Sequence, residues 1–515
     1  MTASSPLEPG LRRTLVTVCA MAATIMQALD TTIANVALPY MQGSLSASLD
    51  QINWVLTSYI VAAAIMTAPM GWLADRFGRK KLFIVCVVAF TFASFLCALA
   101  QNIEEIVLFR LLQGMAGAAL VPLSQAILLD VYPAEERGSA MAIWGVGVML
   151  GPIMGPTLGA WLTDHYSWHW VFLINLPMGV ITAFGLMLFM DETERHEHLR
   201  FDWFGFIALA VGIGSLQLLL DRGEQVGWYG ATEIWIETII SIVGFYYFLA
   251  HSLTTDAPFV QFELFKDRNF VTGCLAMVVI GVALFGTMAL VTPFMQKLLA
   301  YPIQTAGLLL GTRGIGTLIS MMVVPRLMKM FETRWIIMAG LLIASSMMWV
   351  FTGFSLETSQ HTIVWASIGQ GFGLGLLFVP ISAAAFWTLP AHLRTSGSAI
   401  LTLVRNIGSS VGISMVIANL TSESTYMHAR LAAQVTPFND ALQFPDVHAI
   451  LNMATDQGRA MMDMIVTQQA TLIAYLNDFK LLMILTLAAV PLALLIGSSK
   501  KTPTEEDLEE AVVLD

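Results

Sequence analysis

The sequence predicts an all-α polytopic membrane protein: about fourteen transmembrane helices, arranged as two six-helix halves with two helices inserted between them. Three observations carry this. The 515 residues are 57% hydrophobic and only 12% charged, with a mean hydropathy of +0.72, whereas a soluble domain carries about 25% charged residues. About fourteen runs approach the roughly 20 apolar residues that a bilayer crossing needs. The chain also repeats itself: Gln113-Gly114, Val121-Pro122 and Pro133…Arg137 recur as Gln370-Gly371, Val379-Pro380 and Pro390…Arg394, with Pro133 to Pro390 and Arg137 to Arg394 each 257 residues apart.

The runs are 14–38, 53–73, 82–100, 105–128, 138–162 and 169–190, then 203–220 and 234–251, then 270–294, 305–327, 335–353, 363–387, 397–420 and 479–497. The expected organisation is an N-terminal segment 1–13, a first half 14–195, an insert 196–255, a second half 256–499 with a long polar loop at 421–478, and an acidic tail 500–515. Of the 25 Lys and Arg, seventeen fall on the side of the termini and five on the other. This bias puts both termini in the cytoplasm. The remaining three, Arg110, Arg313 and Arg405, lie within spans. The run after Arg12-Arg13 has no small-residue cleavage site and reads as the first span. A net charge of -11 argues against a nucleic-acid partner. Four cysteines, all in apolar runs, imply buried thiols rather than a disulfide framework.

Span 1 holds Asp30. A charge inside a bilayer costs about 2.5–3.5 kcal/mol on insertion scales, so an ionisable group there is a functional candidate. It is also the deepest carboxylate that the sequence suggests. Arg110, in span 4, falls at a similar depth; it either pairs with Asp30 or snorkels to the surface. The turn Gly71 to Leu82 carries Gly71, Asp75, Arg76, Gly78, Arg79 and Lys80. Span 5 carries Gly147, Gly151, Gly155 and Gly159 at a spacing of four, a stripe for close helix approach, with Pro152 and Pro156 interleaved. Gln27, Asn35, Gln113 and Arg313 are candidate cavity groups. For Arg313, contact with anionic substrates and a snorkelling role both stand. No metal-ligand cluster, nucleophile constellation or phosphate loop is apparent, so an enzyme is a remote alternative.

The Gly71–Leu82 pattern resembles the signature loop of the major facilitator superfamily, in which Asp75 and its basic neighbours would close the cytoplasmic side. The Gly-Pro pairs of span 5 resemble that superfamily's motif of proton-exchanging exporters. Together with Leu29–Pro39, Trp168–Gly179, and Leu219–Gly223 followed by Trp228, they resemble the fourteen-span drug:proton antiporters, most closely the EmrB type. The resemblance implies the major facilitator fold, no cofactor beyond the proton gradient, and proton coupling by Asp30 and Arg110. It further implies export of hydrophobic or amphipathic compounds across the bacterial inner membrane, with a membrane-fusion adaptor and an outer-membrane channel as partners of the 421–478 loop. Export of one endogenous compound, such as a siderophore or fatty acid, is the alternative within transport.

Overall fold

The computed structural model describes residues 9–133, 136–192, 201–255, 258, 260–435, 451 and 454–497, and all its regular elements are helical. In chain order the first half contains α1 (Pro9–Ser44), α2 (Leu49–Thr67), α3 (Met70–Phe77), α4 (Arg79–Leu99), α5 (Ile103–Gly117), α6 (Leu120–Val131), α7 (Arg137–His165), α8 (Trp170–Leu173) and α9 (Asn175–Phe189). The insert is α10 (Trp203–Val226) and α11 (Thr232–Thr254). The second half contains α12 (Arg268–Pro293), α13 (Ile303–Met330), α14 (Thr333–Phe351), α15 (Gln360–Ala385), α16 (Arg394–Ala432), α17 (Asp456–Ala488) and α18 (Leu492–Leu495). Thirteen helices are long and apolar enough to cross a membrane, or fourteen when α2 and α3, bent by 57°, count as one span. The connection that holds Arg195 and Arg200, and the acidic tail 500–515, lie outside the described residues.

Local chemistry sets the helix ends. Ser48 and Gln51 form a reciprocal capping box on α2, and Asn102, Asp202, Asp267, Ser359 and Thr455 each cap the helix that follows. These side chains satisfy amide groups that would otherwise lack partners. Gly78 takes φ +87 between α3 and α4, a conformation that side chains rarely adopt. This explains the glycine in the Gly71–Leu82 turn.

The glycine stripe of α7 presses directly on α1. A Cβ at Gly151 or Gly155 would overlap Ala28 or Thr32, and one at Gly159 would lie 2.9 Å from the Ile33 carbonyl oxygen. Thr32 donates to the Gly151 carbonyl oxygen across this contact at 3.0 Å. The stripe therefore grips α1 on both sides of Asp30. Pro156 is half-buried on the same helix, while the side chain of Pro152 lies outside the described set.

One buried cluster runs through both halves, from Met26, Tyr59 and Met141 to Leu284, Met321 and Phe378. Farther along the helices the core divides. Ile33, Val55 and Phe172 belong to a first-half cluster, and Leu290, Leu310 and Phe479 to a separate second-half cluster. The halves thus share a core at the end bearing the Arg76–Lys80 turn, here called the basic face, and have separate cores toward the opposite face.

The sequence reading of 421–478 as one long polar loop with helix-compatible stretches such as Met427 to Gln434 understates its helices. Helix α16 continues through Ala432 and α17 already begins at Asp456, and 436–450 lie outside the described residues. Polar pairs join the two extensions: Ser424 with Thr471 at 3.2 Å, His428 with Asp463 at 3.0 Å, and Asn477 with Glu423 at 3.0 Å. Hydropathy finds where helices cross lipid; a polar helix continuing into water carries no such signal.

Replacing Gly151 by Leu should lower the melting temperature of the purified protein by an amount corresponding to about 1–3 kcal/mol or more, because overpacked contacts are costly. Gly230→Ala, where a Cβ meets nothing within 4 Å, should leave it unchanged.

Candidate functional site

Asp30 sits in α1 at the level where the shared core divides, and it is fully buried. Gly114 lets α5 approach α2, since a Cβ there would collide with the Tyr59 carbonyl. That approach brings Arg110 and Gln113, one turn apart on α5, to the carboxylate. Arg110 Nη1 donates to Asp30 Oδ2 at 2.6 Å, and Gln113 Nε2 donates to Oδ1 at 2.8 Å. Asn175 Nδ2, at the start of α9, donates to Oδ1 at 3.0 Å and to Ser94 Oγ at 3.0 Å. Arg110 is held in turn by the Val55 carbonyl oxygen at 3.0 Å, by Gln113 Oε1 at 2.8 Å and by the Tyr59 ring, 4.2 Å from the guanidinium carbon. Its side chain is 1% exposed, so it does not snorkel to a surface.

This arrangement meets the cost of a buried carboxylate. Oδ2 has the opposite charge in contact, and Oδ1 accepts from two further donors, so both oxygens are bonded as a buried ion pair requires. Gln27 adjoins the cage: its Nε2 lies 3.5 Å from the Tyr59 hydroxyl. Gln27, Thr31 and Asn35 follow at intervals of four along α1; the first two are half-buried and Asn35 is exposed. Gln113 belongs to the cage rather than to an open surface.

The second half repeats the arrangement without charge. Thr287, 257 residues after Asp30, accepts from Gln370 Nε2 at 3.0 Å, and Ser367 stands where the repeat offset would put the arginine. Arg313 instead lies on α13, 4% exposed. Its Nη1 donates to the Leu284 carbonyl oxygen at 3.3 Å, while Nε and Nη2 have no hydrogen-bond partner among the described residues.

At the basic face, residues of the Gly71–Leu82 turn take part in contacts between the halves. Gly71 packs so closely on Ser396 of α16 that a Cβ would overlap it. Asp75 interacts electrostatically with Arg79, and Lys80 Nζ donates to the Met187 carbonyl oxygen at 2.9 Å. Arg76 is half-buried beside them. A carboxylate that joins the halves is Asp130, at the end of α6: it pairs with Arg79 and, at 2.9 Å, with Arg394 of the second half. Nearby, the Ser398 hydroxyl lies 2.6 Å from Gln125 Oε1, and Trp144 of α7 stacks on Phe378 of α15 at 5.4 Å.

Sequence reasoning missed four of these groups. Asp130 is an acid closing an apolar run beside a basic turn, a readable signal that went unused. Asn175 lies in a quoted motif, but nothing local aims it at Asp30. Asp221, in another quoted motif, accepts from Thr57 of α2. Asp478 is as inaccessible as Asp30, and its Oδ1 accepts from Asn419 at 2.7 Å. It had been assigned to the end of the long loop.

If the Asp30–Arg110 pair carries the cage, Asp30→Asn or Arg110→Gln alone should destabilise the protein by about 3–5 kcal/mol, because each strands a buried charge. The double variant should melt closer to the parent than either single one.

Comparison with known proteins places this geometry in a family. The Major Facilitator Superfamily profile matches residues 20–413. Multidrug export protein EmrB of Escherichia coli (strain K12) is 35% identical over 445 residues, 86% of this chain and 87% of that protein. Fatty acid resistance protein FarB of Neisseria gonorrhoeae is 32% identical over 472 residues, 91% of this chain and 93% of that protein. Among solved structures, the proton:xylose symporter XylE shares the fold with a TM-score of 0.61 at 14% identity, covering 98% of this chain and all of that one. The chain is therefore a multi-pass membrane transporter that belongs to the Major Facilitator Superfamily, on the branch of the EmrB-type export proteins.

Proposed function

We propose that this protein exports hydrophobic or amphipathic compounds in exchange for protons, by alternating access between its two halves. The observation that carries the reading is the buried Asp30–Arg110 cage, set where the common core separates into two. Relatives named for multidrug export and for fatty acid resistance support the substrate side. In this reading the basic face is cytoplasmic and closed, and the divided core faces the periplasm. The membrane is the bacterial inner membrane, both termini are cytoplasmic, and the polar extensions of α16 and α17 meet a membrane-fusion adaptor leading to an outer-membrane channel.

The energetics are compatible with coupling. A proton reaching Asp30 along the Gln27–Tyr59 side neutralises the carboxylate and removes its charge-assisted bond to Arg110. Disrupting a buried pair costs about 3–5 kcal/mol. One proton moving down 100 mV supplies about 2.3 kcal/mol, and each pH unit adds about 1.4 kcal/mol. An ordinary proton gradient therefore matches the cage's strength. Arg110, still held by Val55, Gln113 and Tyr59, is retained for the next cycle.

Proton-driven dye efflux in everted vesicles tests the assignment. Asp30→Asn should abolish the coupled component; unchanged coupled transport would remove Asp30 from the mechanism. Asp130→Asn should loosen the closed basic face. The pair to Arg394 is partly solvated, so the effect should be about 1 kcal/mol, a several-fold population shift, read as faster cysteine labelling near Ser396.

A further inference from the structure

The two halves differ in how their buried charge is balanced. In the first half Asp30 is saturated by Arg110, Gln113 and Asn175. In the second half the helices α12–α15 and the lipid-spanning part of α16 hold the buried Arg313 and the half-buried Arg405, and among the described residues neither has an acidic partner. The Arg405 guanidinium lies over the Phe378 ring at 5.9 Å, with Nη2 3.4 Å from Asn406 Oδ1 and Nε unpartnered. Both arginines flank α12: Arg313 bonds the Leu284 carbonyl, and the Arg405 backbone carbonyl packs on Gly281, one turn away.

Arg313 also lies at the apex of the divided core. Along α13, Leu310 belongs to the second-half cluster and Met321 to the shared one. The same helix faces α7 of the first half on either side of Arg313, with Gly307 beside Thr157 and Met321 beside Gly145. A buried guanidinium with two donor nitrogens unpartnered among the described residues is costly. Its fork of donors matches a carboxylate, which would supply both the missing charge and the missing acceptors.

We infer that Arg313 is the headgroup site for an amphipathic organic anion, a carboxylate on an apolar body, bound in the second half opposite the proton site of the first, with Arg405 adding positive potential. This deepens the export reading and rests on it for the fate of the bound compound.

The test is binding to the purified full chain in detergent, read by the fluorescence anisotropy of 1-pyrenebutyrate and of its uncharged counterpart 1-pyrenebutanamide. The acid should bind at least about tenfold more tightly than the amide, as expected of a desolvated charge-assisted bond. Arg313→Gln should erase that preference by weakening the acid alone, and Arg313→Lys should keep part of it. Arg313→Met should melt at or above the parent's temperature, since it removes an uncompensated charge; a structural arginine would give a lower one. Equal affinity for acid and amide in the parent overturns the proposal, as does equal loss of both in Arg313→Gln. Chloride competing as well as an organic carboxylate at the same concentration would mean an inorganic anion site and overturn it too. If Arg313→Gln does not fold, the parent's acid preference and its partial retention in Arg313→Lys decide. Loss of proton-driven efflux with the acid preference intact would sink the export reading alone; efflux without that preference would sink only the anion site.

Discussion

A carboxylate without water must be supplied with everything water would have provided, and the first half is arranged around that requirement at Asp30. Arg110 brings the opposite charge, Gln113 and Asn175 bring further donors, and Val55 and Tyr59 hold Arg110 in place. These groups come from α1, α2, α5 and α9, so satisfying one ion ties four helices together. The glycine stripe of α7 and Gly114 of α5 serve the same end. Hydrogen bonds of 2.6–3.0 Å in this cage need backbones that approach more closely than side chains would permit.

The internal repeat shows what was done with this design. The second half retains the close approach, with Gly371 packed on the Arg313 carbonyl as Gly114 is on that of Tyr59. It also retains the glutamine, now paired with Thr287. It has neither the carboxylate nor the arginine of the cage. One copy thus carries a balanced ion pair, and the other a neutral pair with a cation nearby that has no acidic partner among the described residues. Two similar halves with unlike charge suit exchange of unlike cargoes. The inserted helix α10 spans the seam between them, bonding Thr57 of the first half through Asp221, and Ser410 of the second through Gln217 at 2.8 Å.

Much of this was legible in the residues. Fold class, the two halves and the insert follow from apolar runs and the 257-residue offset, because bilayer thickness imposes a length that sequence reports directly. Asp30 and Arg110 stood out because charge inside an apolar run is conspicuous. Asn175 did not, since a neutral amide among apolar residues has many uses, and Gln113 stood out only as a candidate cavity group, not as a partner of Asp30. The polar extension of α16 and α17 read as loop, because its helical character depends on pairs such as His428 and Asp463, which are 35 positions apart.

By itself, the sequence determined which segments cross the membrane, that the chain is duplicated, and which ionisable groups must find a reason to be buried. These depend on composition and period within one helix. Only the tertiary structure decided that Arg110 turns inward to Asp30, that Asp130 meets Arg394, and that Arg313 has no counter-charge among the described residues. Each is a meeting of side chains from distant helices, fixed by which glycines let which backbones touch.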